Sequence, residues 1–311
     1  MKINSIYIRI INIIFLLLFL ASNLNAFENK IIVKVNNEII TSIDIENEIN
    51  YLKMLNPQVN NLDKNKLINI AKNSLIRERI KIITILNVVE EIKVQDEYLN
   101  EIIKSSYEKL GLNTLDQYKK YLENNQLKIE YIKNKISVEA IWNELIYKKF
   151  NSKVVINKDK IINEVKDNSD IKMLLSEIVF QVKNKNDLEK KYNQIKNDIQ
   201  SEGFENAALI HSISNSASSG GKIGWINKNS LNEIFNDALL DLKIGEYSRP
   251  ILTQAGFVII RINDIKKDKS NEQSIEKKVD TLIRIKTNQQ LNQFSNIYLN
   301  KIKKDLVINE L

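Results

Sequence analysis

Two short runs rich in β-branched residues, 31–35 and 38–40, lie near the start of the chain on either side of Asn36 and Asn37. Because asparagine tolerates a positive φ, this pattern predicts a β-hairpin. Thr41 and Asp44 then have the spacing of a capping box, which predicts the start of a helix. From there the apolar positions recur at helical spacing. The predicted helices are 41–55, 63–87, 96–110, 115–123, 129–150 and 158–166.

The composition changes after these helices. Six of the seven glycines fall between residues 203 and 256, with Pro250 among them. Strand-like and amphipathic runs occupy the same part of the chain. The predicted elements are a strand at 174–182, a helix at 187–201, a helix at 231–242 and a strand at 257–262. We interpret residues 173–264 as a compact α+β unit that is distinct from the helices before it.

The end of the chain carries elements that cannot bury their apolar faces alone. A charged linker at 266–270 leads into a predicted helix at 272–304 and a short β run at 306–308. We expect these elements to return to the hairpin and the first helices. The fold class is therefore predicted as α+β, with a mostly helical N-terminal domain that is completed from the C-terminus around an inserted unit. The predicted divisions are 1–26, 27–170, 173–264 and 270–311.

The first 26 residues have the pattern of a secretory signal. Lys2 and Arg9 give a basic start, residues 10–20 are almost wholly apolar, and Ala26 offers a small residue for cleavage. The alternative is a membrane anchor, but the apolar core is shorter than the ~20 residues that span a bilayer. We expect the leader to be cleaved and the mature chain, without stable membrane insertion, to reside in a bacterial periplasm.

Composition excludes several kinds of active site. The chain has no cysteine and a single histidine, His211, so a disulfide scaffold, a thiol nucleophile and a Ser/His/Asp triad are not expected. His211 is interpreted as a surface or hydrogen-bonded residue. The net charge is +7, but the basic residues are interleaved with acids, which is typical of solvated helix faces and not of nucleic-acid binding.

A nucleotide site is not predicted either. Gly221-Lys222 would need a glycine at position 216 and a serine or threonine at 223 to form a phosphate loop. These positions hold Ser216 and Ile223. We therefore expect no nucleotide, no metal and no other cofactor.

The most specific motif runs from Ser212 to Trp225, where a serine-rich stretch leads into Gly220-Gly221-Lys222-Ile223-Gly224. It resembles the Ser-rich to Gly-Gly-x-Leu-Gly-Trp segment of parvulin-type (PpiC-like) peptidyl-prolyl isomerases, and the residues up to 260 keep that family's order and spacing. The flanking hairpin, helices and returning C-terminus resemble SurA-like periplasmic chaperones. The resemblance implies such a chaperone with a single parvulin domain.

The same resemblance indicates which residues occupy the site positions, and it shows that the histidines of active parvulins are absent from them. Active parvulins frame their pocket with histidines on the first and last strands and a cysteine or aspartate beside them. The corresponding positions here are Glu177, Val258 and Ser214. The apolar substrate-binding slot is retained as Leu231 and Phe235, with Phe257 predicted nearby.

The sequence is compatible with three functions. The first is an ATP-independent chaperone for unfolded outer-membrane proteins or other exported polypeptides, which would bind in a groove between the N-terminal helices and the C-terminal helix. The second is an active prolyl cis-trans isomerase, which the missing histidines argue against. The third is a structural envelope protein held by an uncleaved leader, which the presence of Lys2 in the exported protein would support.

Overall fold

The computed structural model describes residues 29–166, 171–182, 184–267 and 275–311. The predicted leader lies outside the described residues. The helices are α1 (Ser42–Leu55), α2 (Lys64–Leu86), α3 (Asp96–Lys109), α4 (Leu115–Asn124), α5 (Ile129–Phe150), α6 (Lys158–Lys166), α7 (Leu188–Glu202), α8 (Phe204–His211), α9 (Glu233–Leu239) and α10 (Ile275–Asp305). The strands are β1 (Ile31–Val35), β2 (Glu38–Thr41), β3 (Ile171–Phe180), β4 (Lys222–Asn227), β5 (Ile251–Thr253), β6 (Gly256–Lys267) and β7 (Ile308–Glu310). The predicted α+β class is confirmed.

The predicted hairpin and capping box are confirmed. Strands β1 and β2 pair antiparallel, and Asn36 in the turn has φ of +50°. The Thr41 hydroxyl accepts a hydrogen bond from the Asp44 N–H, and the Asp44 carboxylate accepts one from the Thr41 N–H at 2.8 Å. These two bonds satisfy backbone donors that a helix N-terminus leaves free, so they fix where α1 begins.

The two ends of the described chain meet in the first sheet, whose strand order is β2-β1-β7. Strand β7 pairs antiparallel with β1, with Ile308 opposite Val35. Val33 and Val35 are fully buried against α1 and α2, in a core that also includes Trp142 of α5. Helix α10 packs on α5, where the Trp142 and Tyr298 rings stack at 5.9 Å between centroids.

The second sheet forms the centre of the α+β unit, with antiparallel strands in the order β4-β3-β6-β5. Because side chains alternate across a strand, its two faces bury different residues. One face, which includes Ile178 and Ile259, is covered by α7 and α8. The opposite face, which includes Val179 and Val258, packs in part against residues of α9 and its flanks.

Several predicted boundaries are corrected by the structure. Strand β6 continues to Lys267 because it pairs with β3 along its length, so residues 266–267 belong to a strand and not to the predicted linker. The predicted helix at 231–242 is shorter in the structure, where only α9 (Glu233–Leu239) is α-helical. Strands β4 and β5 and helix α8 were not predicted as elements. Within the described residues, no helix combines the length and apolarity needed to cross a membrane.

Candidate functional site

A cavity of about 560 Å³ lies between the second sheet and helix α10. Its floor is the sheet face that is not covered by α7 and α8, with Leu175, Glu177 and Val179 from β3 and Val258 and Ile260 from β6. These positions are two residues apart along each strand, so their side chains share one face. The strand pairing therefore brings residues that are distant in sequence to one surface.

The structure brings five of the six predicted site residues to this cavity, namely Glu177, Ser214, Leu231, Phe235 and Val258. The sixth, Phe257, lies elsewhere, which corrects the prediction. Phe257 immediately precedes Val258 on β6, so its side chain points to the opposite face of the sheet, where its ring centroid lies 5.8 Å from that of Phe180. Phe257 packs in the core under α7 and α8 and does not line the cavity.

The carboxylate of Glu177 is held by two serine hydroxyls. Its Oε1 accepts hydrogen bonds from Ser214 Oγ at 2.6 Å and from Ser216 Oγ at 2.9 Å. Burial raises the pKa of Glu177 above its ordinary value of 4.5, and the two hydroxyls oppose that shift only in part. Ser216 was not predicted as a site residue, although the serine-rich run could have indicated it.

Gly221 allows the serine-rich loop to lie directly against strand β3. Its carbonyl accepts a hydrogen bond from the Glu177 N–H at 2.8 Å, and its φ is +77°. A Cβ atom at this position would lie 2.2 Å from the Glu177 carbonyl oxygen. Glycine is therefore required here both for the backbone conformation and for the close approach.

The rest of the predicted pocket is apolar. Val258 is 5% exposed and lies between Val179 on β3 and Ile251 on β5. Leu231 and Phe235 pack on the same cluster, and the Asn232 side chain accepts a hydrogen bond from the Phe235 N–H at 3.0 Å, which caps α9. The arrangement gives an apolar slot beside one partly buried carboxylate.

His211 lies outside this cavity, at the end of α8. It is buried, and its Nε2 lies 2.7 Å from the Asp198 carboxylate while its Nδ1 lies 3.1 Å from Lys191 Nζ. Burial and then the charge of Lys191 lower the pKa of His211, and Asp198 raises it in part. Of the two interpretations of His211, surface or hydrogen-bonded, the second is confirmed and the first is wrong because the residue is buried; its partners come from α7 and were not identified from the sequence.

Another carboxylate, which is fully buried, occupies a charged cluster in the helical region. Glu48 of α1 is fully buried and contacts Lys135 Nζ at 2.7 Å, and it accepts hydrogen bonds from Ser74 and Tyr131. Lys135 also contacts Glu78 at 2.5 Å. Burial by itself lowers the pKa of Lys135, but the two carboxylates raise it above its usual range. This cluster links α1, α2 and α5.

Comparison with known proteins agrees with the resemblance seen in the sequence. Residues 171–264 match the family model described as the PPIC-type PPIASE (rotamase) domain. The chain is 28% identical to the chaperone SurA of Nitrosococcus oceani over 186 residues, which cover 56% of this chain and 43% of that protein. It is 24% identical to the chaperone SurA of Hydrogenovibrio crunogenus over 258 residues, covering 78% and 56% of the two chains.

A SurA-like chaperone of Campylobacter jejuni is similar in structure, with a TM-score of 0.38 at 18% identity over 91% of this chain and 99% of that one. The present chain spans about half the length of the curated relatives that it matches. The predicted resemblance is confirmed: the chain is SurA-like and carries a PpiC-type, parvulin-like domain.

Proposed function

We propose that this protein is an ATP-independent periplasmic chaperone for unfolded outer-membrane proteins. In this proposal the parvulin-like domain supplies a polypeptide-binding cleft and no longer catalyses prolyl isomerisation. The observation that carries the proposal is the cavity beside the second sheet, which keeps the apolar slot of Leu231 and Phe235 while Glu177 and Val258 occupy the positions where active parvulins carry histidines. The export that the proposal requires rests on the leader predicted at 1–26.

Prolyl isomerisation needs hydrogen-bonding groups at the two positions where active parvulins carry histidines, and here these positions hold Glu177 and Val258. The reaction must lower a barrier of ~18–20 kcal/mol by favouring a twisted amide, which requires donors placed around the carbonyl and the nitrogen. An ionised Glu177 can only accept hydrogen bonds, and it already accepts two from Ser214 and Ser216. Val258 contributes no polar group. These features favour binding without catalysis.

The cleft also suits the proposed clients. Strands of outer-membrane barrels alternate apolar with polar residues, so an unfolded segment presents an apolar side chain at every second position. Such segments pair through their free edges and aggregate. A slot that takes one side chain at a time gives modest contacts, which permits release without ATP.

Helix α10 packs on α5 in the region where we predicted a groove between the N-terminal helices and the C-terminal helix. Trp142 of α5 stacks on Tyr298 and donates a hydrogen bond from Nε1 to Ser295 Oγ at 2.8 Å. The rings of Phe150 and Phe294 stack at 5.3 Å. We therefore place the binding surface on the other side of α10, at the cleft.

The test is suppression of aggregation by the chain beginning at Phe27. We expect it to delay aggregation of a urea-unfolded outer-membrane barrel at stoichiometric ratio, and Phe235→Ala to weaken this effect. The matched control is Ile234→Ala, because Ile234 is on the same helix but is 61% exposed and outside the cavity. A wild-type chain that leaves the aggregation rate unchanged would contradict the proposal.

The alternative is an active isomerase, which the retained slot and the two adjacent serine hydroxyls favour. It predicts faster cis-trans exchange of an X-Pro peptide, reduced by Phe235→Ala. An exchange rate equal to the uncatalysed rate would eliminate this alternative.

A further inference from the structure

The cleft has a second wall, which is polar and comes from helix α10. Gln289, Gln293 and Asn296 line the cavity opposite the apolar slot. Positions three and four apart lie on one face of a helix, so the three side-chain amides form a row. An amide side chain offers both donors and an acceptor without a net charge. The row therefore has the chemistry that pairs with a polypeptide backbone.

The spacing of the row also fits an extended chain. Gln289 and Gln293 are four residues apart, which is a rise of about 6 Å along a helix at 1.5 Å per residue. Alternate residues of an extended strand are about 6.8 Å apart. Two amides on successive turns can therefore reach two backbone units of a strand that point the same way.

A neighbouring glutamine of α10 already binds backbone in this manner. Gln290 Oε1 accepts a hydrogen bond from the Val155 N–H at 3.0 Å, and Gln290 Nε2 donates one to the Val155 carbonyl at 2.7 Å. Val155 lies in the irregular segment between α5 and α6. One amide of this helix thus takes both polar groups of one residue, with no contribution from the residue's side chain.

Two buried polar atoms in the cleft lack partners. Asn296 Oδ1 and Ser230 Oγ make no hydrogen bond within the described chain, although their residues are only 5% and 7% exposed. Both residues line the cavity. A buried polar atom without a partner costs free energy that a bound donor would recover. A peptide N–H in the cleft is such a donor.

We propose that the amide row of α10, defined as Gln289, Gln293 and Asn296, binds the backbone of an extended client segment while one client side chain enters the slot of Leu231 and Phe235. This rests on the proposed chaperone function and names its recognition mode. Backbone recognition makes binding tolerant of client sequence. It also makes the domain and the C-terminal helix two halves of one site.

The experiment measures binding of a fluorescent peptide with alternating aromatic and polar residues, about ten residues long, the length of one barrel strand. It uses the chain beginning at Phe27, the double variant Gln289→Ala/Gln293→Ala, and the control Asn288→Ala, which is exposed and outside the cleft. We expect the double variant to bind about tenfold more weakly, as two lost hydrogen bonds imply. The control should bind like the wild type.

A second arm leaves the protein unchanged. The same peptide with N-methyl groups on alternate amides keeps its side chains but loses the N–H donors of one edge. We expect wild-type binding to weaken, and the double variant to discriminate much less between the two peptides. Equal binding of both peptides by the wild type, or wild-type affinity in the double variant, would overturn the amide-row proposal alone. Failure of the wild type to bind the peptide or to suppress aggregation would overturn the chaperone function as well.

Discussion

The fully buried Glu48 of the helical region and the partly buried Glu177 of the parvulin-like domain are stabilised in different ways. Glu48 in the helical region contacts the ammonium of Lys135 and two hydroxyls. Glu177 in the parvulin-like domain contacts two hydroxyls, with no cation paired to it among the described residues. The first carboxylate is part of a charge network that holds three helices together, and the second lies at the floor of a cavity.

A carboxylate that is shielded from solvent can thus be held by a cation in one place and by neutral hydroxyls at the floor of a cavity in another. A buried ion pair contributes little net stability over an apolar substitute, but removal of one partner is costly. Glu48 is therefore fixed by its partners. Glu177 is held by two hydroxyls and has no paired cation among the described residues, so its raised pKa reflects mainly desolvation.

The largest effect is expected from breaking the charge network. Lys135→Met leaves the fully buried Glu48 without its cation, which should lower the free energy of unfolding of the helical region by about 3–5 kcal/mol. Urea unfolding followed by Trp142 fluorescence in a Trp225→Phe background measures this. Lys148→Met, which removes an exposed helical pair with Glu144, is the control and should change little. Equal effects of the two variants would contradict the network.

A smaller effect is expected at the loop that carries the serines. Gly221→Ala must adopt an unfavourable φ and also displace the Glu177 carbonyl, whereas Gly224→Ala, with nothing within 4 Å of the added Cβ, meets the φ strain alone. Strain of this kind costs roughly 1–3 kcal/mol. Calorimetric melting should show the greater loss for Gly221→Ala. A greater loss for Gly224→Ala would show that the close approach to β3 is unimportant.

The smallest effect is expected from Glu177→Gln, and it depends on pH. Because the folded state raises the pKa of Glu177, folding favours the protonated form. The contribution of this carboxyl is therefore most favourable below pH 4.5, its ordinary pKa, and decreases as pH rises through the folded-state pKa. The glutamine variant lacks this change. The difference in melting temperature, variant minus wild type, should therefore increase from pH 4 to pH 8. If the melting temperatures of the two proteins changed with pH in parallel, this would contradict the raised pKa of Glu177.

Much of the helical region could be predicted because its signals are local. Helix α5 and helix α6 match their predicted bounds, since their apolar positions repeat at helical spacing and turn residues separate them. The capping box of Thr41 and Asp44 fixed another boundary.

The missed parts depend on contacts between distant residues. Strand β4 contains Gly224, and its sequence has little of the alternating pattern that indicates a strand. It forms because residues such as Trp225 and Ile226 pair with β3. Helix α8 is buried on six of its eight positions, so its helical period is obscured. The sheet face on which the Phe257 side chain lies depends on the alternation of side chains along β6. The Ser216 hydroxyl reaches Glu177 only because Gly221 lies against β3. Spacing to a motif identified the positions, but only the fold shows which of them share the cleft.

The most direct test of the central claim measures binding and catalysis on one peptide. Exchange NMR of an X-Pro peptide of barrel-strand type, with the chain beginning at Phe27, reports both the chemical-shift changes of bound peptide and its cis-trans exchange rate. We predict clear shift changes, lost in Phe235→Ala, together with an exchange rate equal to that of the free peptide. A raised exchange rate that Phe235→Ala abolishes would contradict the account and identify the cleft as an active site.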